Sequence, residues 1–136
     1  MGKRKILFLC TGNSCRSQMA EGFAHKMGWD AYSAGTKPET QVNPFAVTVM
    51  AEVGIDIVQH IPEPISKYLD EYFDIVATLC DNARETCSVC TVASDRQIHN
   101  EFIDPANANG SDHKITEVYR QVRDEIREWL VELRQV

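Results

Sequence analysis

Hydrophobic residues near the start of the chain follow two different patterns, one after the other. Residues 6–9 are continuously apolar, which is typical of a short strand buried on both faces. Five apolar residues then recur at intervals of three and four, namely Met19, Ala20, Phe23, Ala24 and Met27. This spacing predicts one buried face of a helix, which Gly28 is expected to end. The pattern predicts a strand, a polar turn and a helix that begins near Ser17.

The middle of the chain continues the alternation of strand and helix signals. Residues 29–34 predict a second strand, and residues 36–42 predict a loop. Asn43 followed by Pro44 predicts the start of a second helix, because a capping side chain precedes a proline in the first turn. The buried face of that helix is predicted to consist of Val47, Met50 and Val53.

The second half of the chain adds two predicted strands and a long helix. Residues 73–79 predict a core strand, preceded by a short helix around Tyr68. Residues 81–94 are polar without a clear period, which predicts a loop or a weakly held helix. A fourth strand is predicted over residues 98–103. The final helix is indicated by apolar residues at helical spacing, namely Ile115, Val118, Val122, Ile126, Leu130 and Leu133.

This order of elements predicts a three-layer α/β fold around a small, four-stranded parallel sheet. The whole chain, residues 1–136, is expected to form a single domain. In parallel α/β sheets, ligands bind at the carboxyl ends of the strands. Cys10, Cys80 and Asp104 each follow a predicted strand, so all three are expected to share that edge of the sheet.

Composition and charge narrow the possible partners. The chain has 136 residues and a formal net charge of −6, which argues against nucleic acid or an anionic membrane as the main partner. No apolar run is long enough for a signal peptide or a membrane span, so we expect a cytoplasmic protein. Its five cysteines then indicate catalysis, redox chemistry or metal binding instead of structural disulfides.

The polar turn between the first strand and the first helix combines a nucleophile with anion-binding groups. The loop N–H groups, the positive end of the helix and Arg16 are expected to hold Cys10 as a thiolate, which is the form that attacks. A hydrogen bond from Ser17 is expected to favour the thiolate further. A tetrahedral oxyanion is expected to bind to the same loop N–H groups and helix N-terminus. The guanidinium of Arg16 can bind two of its oxygens at once. The predicted substrate-binding residues are Thr11, Gly12, Asn13, Ser14, Cys15 and Arg16. The alternative is a structural cysteine beside a surface arginine.

A carboxylic acid is the remaining requirement of this chemistry. When a thiolate attacks a tetrahedral oxyanion, the departing oxygen needs a proton donor, and Asp104 is the natural candidate. Asp104 with Pro105 is also a common turn pair, so a purely structural turn is an equal alternative on the residues alone.

Several stretches resemble one protein family. Cysteine, five residues and then arginine is the signature of cysteine-dependent phosphatase loops, and here it lies between a predicted strand and a helix. Residues 9–22 resemble the loop and helix of the low-molecular-weight tyrosine phosphatase superfamily and, within it, of the thioredoxin-coupled arsenate reductases. Further matching stretches are residues 32–35, 43–44, 52–57, 78–80 and 122–126. The resemblance covers nearly the whole chain.

The resemblance implies a three-cysteine reduction of arsenate. Cys10 would attack arsenate, with Arg16 and the loop amides holding the oxyanion and Asp104 donating the proton. Cys80 would then attack Cys10 and release arsenite, after which Cys87 would attack Cys80 and present a disulfide to thioredoxin. Phosphate or sulfate is expected to bind as an analogue of arsenate, and weak phosphatase activity is expected beside the reduction. The protein is expected to be a monomer without a tightly bound cofactor. Glutaredoxin with glutathione is the alternative reductant.

Cys90 departs from the pattern of the relatives. Cys87 and Cys90 form a C-x-x-C sequence where relatives often have proline after the third cysteine. Cys90 could replace Cys87 as the resolving thiol, pair with it, or be inert.

A potassium ion is an open possibility. Some relatives bind potassium near the loop through an Asn, a Glu, a Ser and an Asp. Asn13, Glu21 and Ser33 match these ligands, whereas the fourth position is Glu63.

Two other functions compete with arsenate reduction. Tyrosine phosphatases of this family place aromatic residues just after Asp-Pro, but here Pro105 is followed by residues 106–109 without a ring. A metal or redox-sensing module would use Cys80, Cys87, Cys90 and His99. That cysteine spacing is unusual for zinc, and it would leave the Cys10 loop unexplained.

Overall fold

The computed structural model describes residues 3–79 and 92–134. The strands are β1 (Lys5–Cys10), β2 (Asp30–Gly35), β3 (Tyr72–Thr78) and β4 (Ala93–His99). The helices are α1 (Arg16–Lys26), α2 (Pro44–Glu52) and α3 (Asp112–Arg134), with 3₁₀ turns at Ile65–Tyr68 and Pro105–Asn107. Cys80, Cys87 and Cys90, with the loop predicted around them, lie outside the described residues.

The four strands form one parallel sheet in the order β2-β1-β3-β4, which confirms the predicted α/β fold. Cys10 pairs with Gly35, and Leu9 pairs with Thr78, so the carboxyl ends of β1, β2 and β3 meet at one edge. The sequence between β1 and α1 therefore lies where parallel sheets bind ligands.

Successive residues of β1 point to opposite faces of the sheet, as strand geometry requires. Ile6, Phe8 and Cys10 pack in the larger core with α1, α2 and α3, whereas Leu7 and Leu9 pack in a smaller core on the other face. Both faces of β1 are thus buried, which explains its continuous apolar run. No helix within residues 3–79 or 92–134 is long and apolar enough to cross a membrane.

Two predicted elements differ from the structure. The fourth strand is Ala93–His99 instead of residues 98–103, because its exposed edge position leaves Ser94, Asp95 and Arg96 without a hydrophobic pattern. Asp104 consequently does not follow a strand directly. In α2 the buried face is Ala46, Val49 and Met50; Val47 and Val53 are only half-buried, because the helix is rotated relative to the predicted face.

Candidate active site

Residues 10–17 connect the end of a buried strand to the start of a helix. Cys10 is 2% exposed at the carboxyl end of β1, and α1 begins at Arg16. Cys15 precedes the helix and makes no side-chain cap to its first N–H groups. The residue at the cap position thus leaves these groups open towards the loop, and N–H groups at helix N-termini are a common site for binding anions.

A pocket of about 230 Å³ opens at this loop. Its volume is several times the ~30 Å³ that one water molecule occupies in the liquid, so a tetrahedral oxyanion fits with solvent. Loop residues form the floor, and two other segments form the walls. The lining residues are Cys10, Thr11, Gly12, Asn13, Ser14, Cys15, Arg16, Lys37, Glu39, Asp104 and Ala106. The structure thus brings the predicted substrate-binding residues together with the predicted nucleophile and acid.

Ser17 provides the hydrogen bond that the sequence predicts for Cys10. Its hydroxyl lies 2.8 Å from the Cys10 sulfur, and its oxygen accepts a hydrogen bond of 2.7 Å from Asn13 Nδ2. Because Asn13 occupies the oxygen of Ser17, the hydroxyl hydrogen is available for the sulfur. A donated hydrogen bond favours the thiolate over the thiol.

Asn13 holds the loop in place through both ends of its amide. Its φ of 52° is in the left-handed region, which asparagine tolerates better than most residues. Its Oδ1 accepts from Glu63 N at 2.8 Å and from Gln18 Nε2 at 3.1 Å, while its Nδ2 also donates to Ser33 at 2.9 Å. A backbone N–H can only donate, so the Glu63 contact determines which amide atom is the oxygen. Asn13 is therefore oriented to donate to Ser17.

Arg16 links the loop to the segment that carries the predicted acid. It is nearly buried, donates from one terminal nitrogen to Phe102 O at 3.2 Å, and approaches Asp104 Oδ2 at 3.4 Å with the other. Its Nε is buried without a hydrogen-bond partner in the part of the chain that the structure describes. An unsatisfied buried donor is rare, and a bound oxyanion is the kind of acceptor that would satisfy it.

Asp104 has one contact that fits a turn residue and another that places it in the pocket, where a general acid was predicted. Its Oδ1 accepts a hydrogen bond of 3.0 Å from Ala106 N, which caps the 3₁₀ turn Pro105–Asn107. Its Oδ2 faces Arg16 in the pocket. One oxygen therefore stabilises the turn and the other is positioned for chemistry, although the role as acid stays a prediction.

Cys15, one of the predicted substrate-binding residues of the loop, has its side chain packed inward. It is 3% exposed, and its sulfur lies 3.5 Å from the hydroxyl of Tyr119 on α3. Burial raises the pKa of the Cys15 thiol to about 11. Cys15 is therefore a neutral thiol at physiological pH, which suits a structural role beneath the loop.

The residues predicted to bind potassium lie together, but their contacts do not fit an ion that all of them hold. Glu21 Oε1 accepts a hydrogen bond of 2.6 Å from Ser33, whereas Asn13 presents its nitrogen to Ser33 and uses its oxygen on Glu63 N and Gln18. Residues 3–79 and 92–134 also contain no group of three or more His, Cys, Asp or Glu side chains that could hold a metal. Potassium binding stays a prediction, and no step proposed below depends on it.

Comparison with known proteins gives the family. Residues 5–136 match the family described as low molecular weight phosphotyrosine protein phosphatase. The chain belongs to this family. It is 48% identical over 129 residues to the arsenate reductase of Halalkalibacterium halodurans. This alignment covers 93% of this chain and 91% of that protein.

Solved structures that superpose on this chain include proteins described as arsenate reductases and as phosphatases. A structure described as an arsenate reductase in the phosphate-binding state superposes with a TM-score of 0.75 at 33% identity, covering 96% of this chain and 95% of that one. A low molecular weight protein tyrosine phosphatase from T. tengcongensis superposes with a TM-score of 0.80 at 26% identity, covering 98% and 99%. The fold is therefore shared between reductases and phosphatases, and the choice between them depends on the site.

Sequence reasoning missed four residues of this neighbourhood. Gln18 is buried and contacts both Asn13 and His60 Nδ1, the latter at 2.9 Å, so His60 belongs to the network behind the loop. Lys37 and Glu39 line the pocket from the segment that was predicted only as a loop. Their position directly after a strand that ends at the ligand-binding edge was the available signal.

Proposed function

We propose that this protein reduces arsenate to arsenite, with Cys10 as the nucleophile. The observation that supports this most is the pocket above Cys10, which is small and lined by loop amides and charged side chains. Among the described lining residues there is no aromatic ring to hold a phosphotyrosine. The arsenate reductases among the relatives support the same choice.

The first step forms a bond between sulfur and arsenic. The loop N–H groups and the Arg16 guanidinium hold the oxyanion, and the Cys10 thiolate, stabilised by Ser17, attacks the arsenic atom. One As–O bond breaks, and Asp104 donates a proton to the departing oxygen, so that water leaves. Desolvated donors aimed at the developing charge are the main catalytic contribution expected here.

The second step is the reduction, and it uses cysteines that only the sequence describes. The Cys80 thiolate attacks the Cys10 sulfur, the S–As bond breaks, and its electron pair remains on arsenic, which leaves as arsenite. Cys87 then attacks Cys80, frees Cys10 and leaves a Cys80–Cys87 disulfide for thioredoxin to reduce. Each of these disulfides requires the Cα atoms of its two cysteines to lie within about 7 Å of each other.

Phosphate ester hydrolysis is the second activity that we propose, as a weak side reaction. The family includes phosphatases, and phosphate has the charge and shape of arsenate. Ala106 lines the wall directly after Pro105, where the family's tyrosine phosphatases were expected to carry a ring. We therefore expect slow turnover of small aryl phosphates and no preference for phosphotyrosine.

The reaction is tested by NADPH consumption in the presence of arsenate. We expect turnover with thioredoxin and thioredoxin reductase, and little with glutaredoxin, glutathione and glutathione reductase. Cys10→Ser is expected to abolish both arsenate reduction and phosphatase activity. Normal turnover of either substrate by that variant would rule out Cys10 as the nucleophile.

Single cysteine variants separate the later steps. Cys80→Ser is expected to keep phosphatase activity but to form no disulfide with Cys10. Cys87→Ser should form the Cys10–Cys80 disulfide yet fail in multiple turnover, whereas Cys90→Ser should keep most turnover. Mass mapping of arsenate-treated protein identifies the bridges, and a dominant Cys80–Cys90 disulfide with active Cys87→Ser would overturn the assignment.

A further inference from the structure

The segment between β2 and α2 is attached to the anion-binding loop through its backbone. Lys37 N donates to Thr11 O and Glu39 N donates to Gly12 O, both at 2.9 Å. The loop carbonyls are thus turned outward, towards this segment. Lys37 and Glu39 both line the pocket, so the backbone bonds hold two residues of opposite charge beside it.

Glu39 lies directly over the loop. Its Cγ is 3.1 Å and its Oε1 3.6 Å from the position that a Cβ on Gly12 would occupy. A side chain at position 12 would therefore contact Glu39, and the glycine allows the carboxylate to approach the loop backbone. A negative charge beside an anion-binding site weakens anion binding. Because the repulsion grows with the charge of the ligand, such a carboxylate can also discriminate between anions of different charge.

We propose that Lys37 and Glu39 set the anion affinity and selectivity of this pocket. Lys37 attracts the oxyanion to the mouth, and the Glu39 carboxylate opposes it, with a repulsion that grows with the charge of the ligand. The inference rests on the proposed function only in that the ligand is a tetrahedral oxyanion. No described ion pair neutralises either side chain, so both charges act on the ligand.

Opposite effects of the two charges distinguish this role from a structural one. At separations of several ångströms near a protein surface, one unit charge changes the affinity for an oxyanion by about 3–10-fold. Lys37→Gln is expected to weaken binding by this factor, and Glu39→Gln to strengthen it. The double variant should lie near the wild type, because the two effects cancel.

The experiment measures how phosphate and sulfate, which bind without oxidising Cys10, protect it from alkylation by iodoacetamide, a neutral reagent. The intact protein is used, and the modified Cys10 peptide is quantified by mass spectrometry. We expect the half-protecting concentration to rise about 3–10-fold in Lys37→Gln and to fall by a similar factor in Glu39→Gln. Both differences should shrink when sodium chloride is raised from about 50 mM to 500 mM, because salt screens exposed charges.

A matched control is Lys26→Gln, which removes an exposed lysine at the end of α1 and should leave protection unchanged. Equal protection in Lys37→Gln, Glu39→Gln and the wild type would overturn the inference, as would weaker binding in both variants. Opposite shifts without any arsenate reduction would support the inference and refute the proposed reaction. An absence of protection by either anion in the wild type would contradict both.

Discussion

Hydrogen bonding around Cys10 and Asp104 determines what each residue can do in the proposed reaction. Ser17 has its oxygen engaged by Asn13, which leaves its hydrogen for the Cys10 sulfur. Asp104 has one oxygen on Ala106 N and the other facing Arg16. Each side chain therefore has one structural contact and one contact with the reacting groups, and substitutions can separate the two.

Ser17→Ala tests the stabilisation of the thiolate. A hydrogen bond to a charged group contributes about 1.5–3 kcal/mol, so the pH midpoint of Cys10 alkylation should rise by about one to two pH units. We expect arsenate turnover to fall at pH values below the new midpoint, since less thiolate is present there. The measurement is the alkylation rate of the Cys10 peptide as a function of pH.

The control for Ser17 is Ser111→Ala. Ser111 accepts a hydrogen bond of 3.2 Å from Lys114 N at the start of α3 and does not line the pocket. Its removal should change stability slightly and leave the alkylation midpoint unchanged. A Ser17→Ala midpoint equal to that of the wild type would exclude Ser17 from thiolate stabilisation.

Asp104→Asn tests the general acid. Asparagine retains the oxygen that caps the turn but cannot donate the proton, so the fold should persist while both arsenate reduction and phosphoester cleavage slow by about 10²–10⁴-fold. Asp56→Asn is the matched control, because Asp56 Oδ1 accepts from Val58 N at 2.9 Å in the same kind of turn away from the pocket. Unchanged rates in Asp104→Asn would leave Asp104 as a turn residue only.

At the scale of secondary structure, the site depends on close contact between β2 and the loop after β1. Gly35 is the last residue of β2, pairs with Cys10, and donates from its N–H to Glu63 O at 2.8 Å. A Cβ on Gly35 would lie 2.5 Å from Thr11 O, a distance that backbone atoms cannot accommodate without moving. The end of β2 therefore determines where the loop can lie.

Gly35→Ala should displace the loop and cost about 1–3 kcal/mol of unfolding free energy, as overpacking does. Loss of phosphate protection at Cys10 should accompany the loss of stability in urea. Gly22→Ala is the comparison, because the three atoms nearest to its Cβ are methyl groups of Ile55, Ile57 and Met50 at 3.0–3.1 Å, none of which belongs to the loop. It is expected to crowd the core while leaving phosphate protection of Cys10 in place. Wild-type stability and protection in Gly35→Ala would contradict this account of the loop.

At the scale of the whole molecule, folding buries a carboxylate behind the active site. Burial raises the pKa of Glu21 from 4.5 to about 7. The folded protein then holds a proton at pH values where the unfolded chain has released it, so stability is greatest on the acid side and is lost as pH rises from about 4.5 to 7. The burial of the neighbouring His60 lowers its pKa, because burial disfavours the charged imidazolium.

Glu21→Gln should remove this pH dependence. Each unit of pKa corresponds to about 1.4 kcal/mol, so the variant should gain up to about 3 kcal/mol over the wild type at pH 8 and little at pH 4.5. Glutamine keeps an oxygen for the Ser33 hydroxyl. The measurement is urea unfolding at a series of pH values, with Glu128→Gln on the exposed face of α3 as the control. A constant difference at all pH values would contradict the raised pKa.

Local signals were sufficient for the parts of the protein in which neighbouring residues determine the structure. The apolar run of β1, the periodicity of α1 and the Asn43 cap of α2 each predicted an observed element. The Asn43 Oδ1 accepts a hydrogen bond of 2.9 Å from Phe45 N, as expected of a helix cap. The nucleophile and anion-binding residues lie within one short segment. Their proximity in space follows from their proximity in the sequence.

Tertiary structure decided what depends on distant residues. The edge strand β4 lacks an apolar pattern because one side of it is solvent, so only its pairing with β3 identifies it. Glu63, fifty residues from Asn13 along the chain, orients the Asn13 amide. Hydrophobic periodicity reports which residues are buried, but it does not report which buried or charged groups meet. The sequence by itself therefore determined the chemistry of the loop, and the packing of β2, α3 and the segment before α2 determined its walls and its electrostatic surroundings.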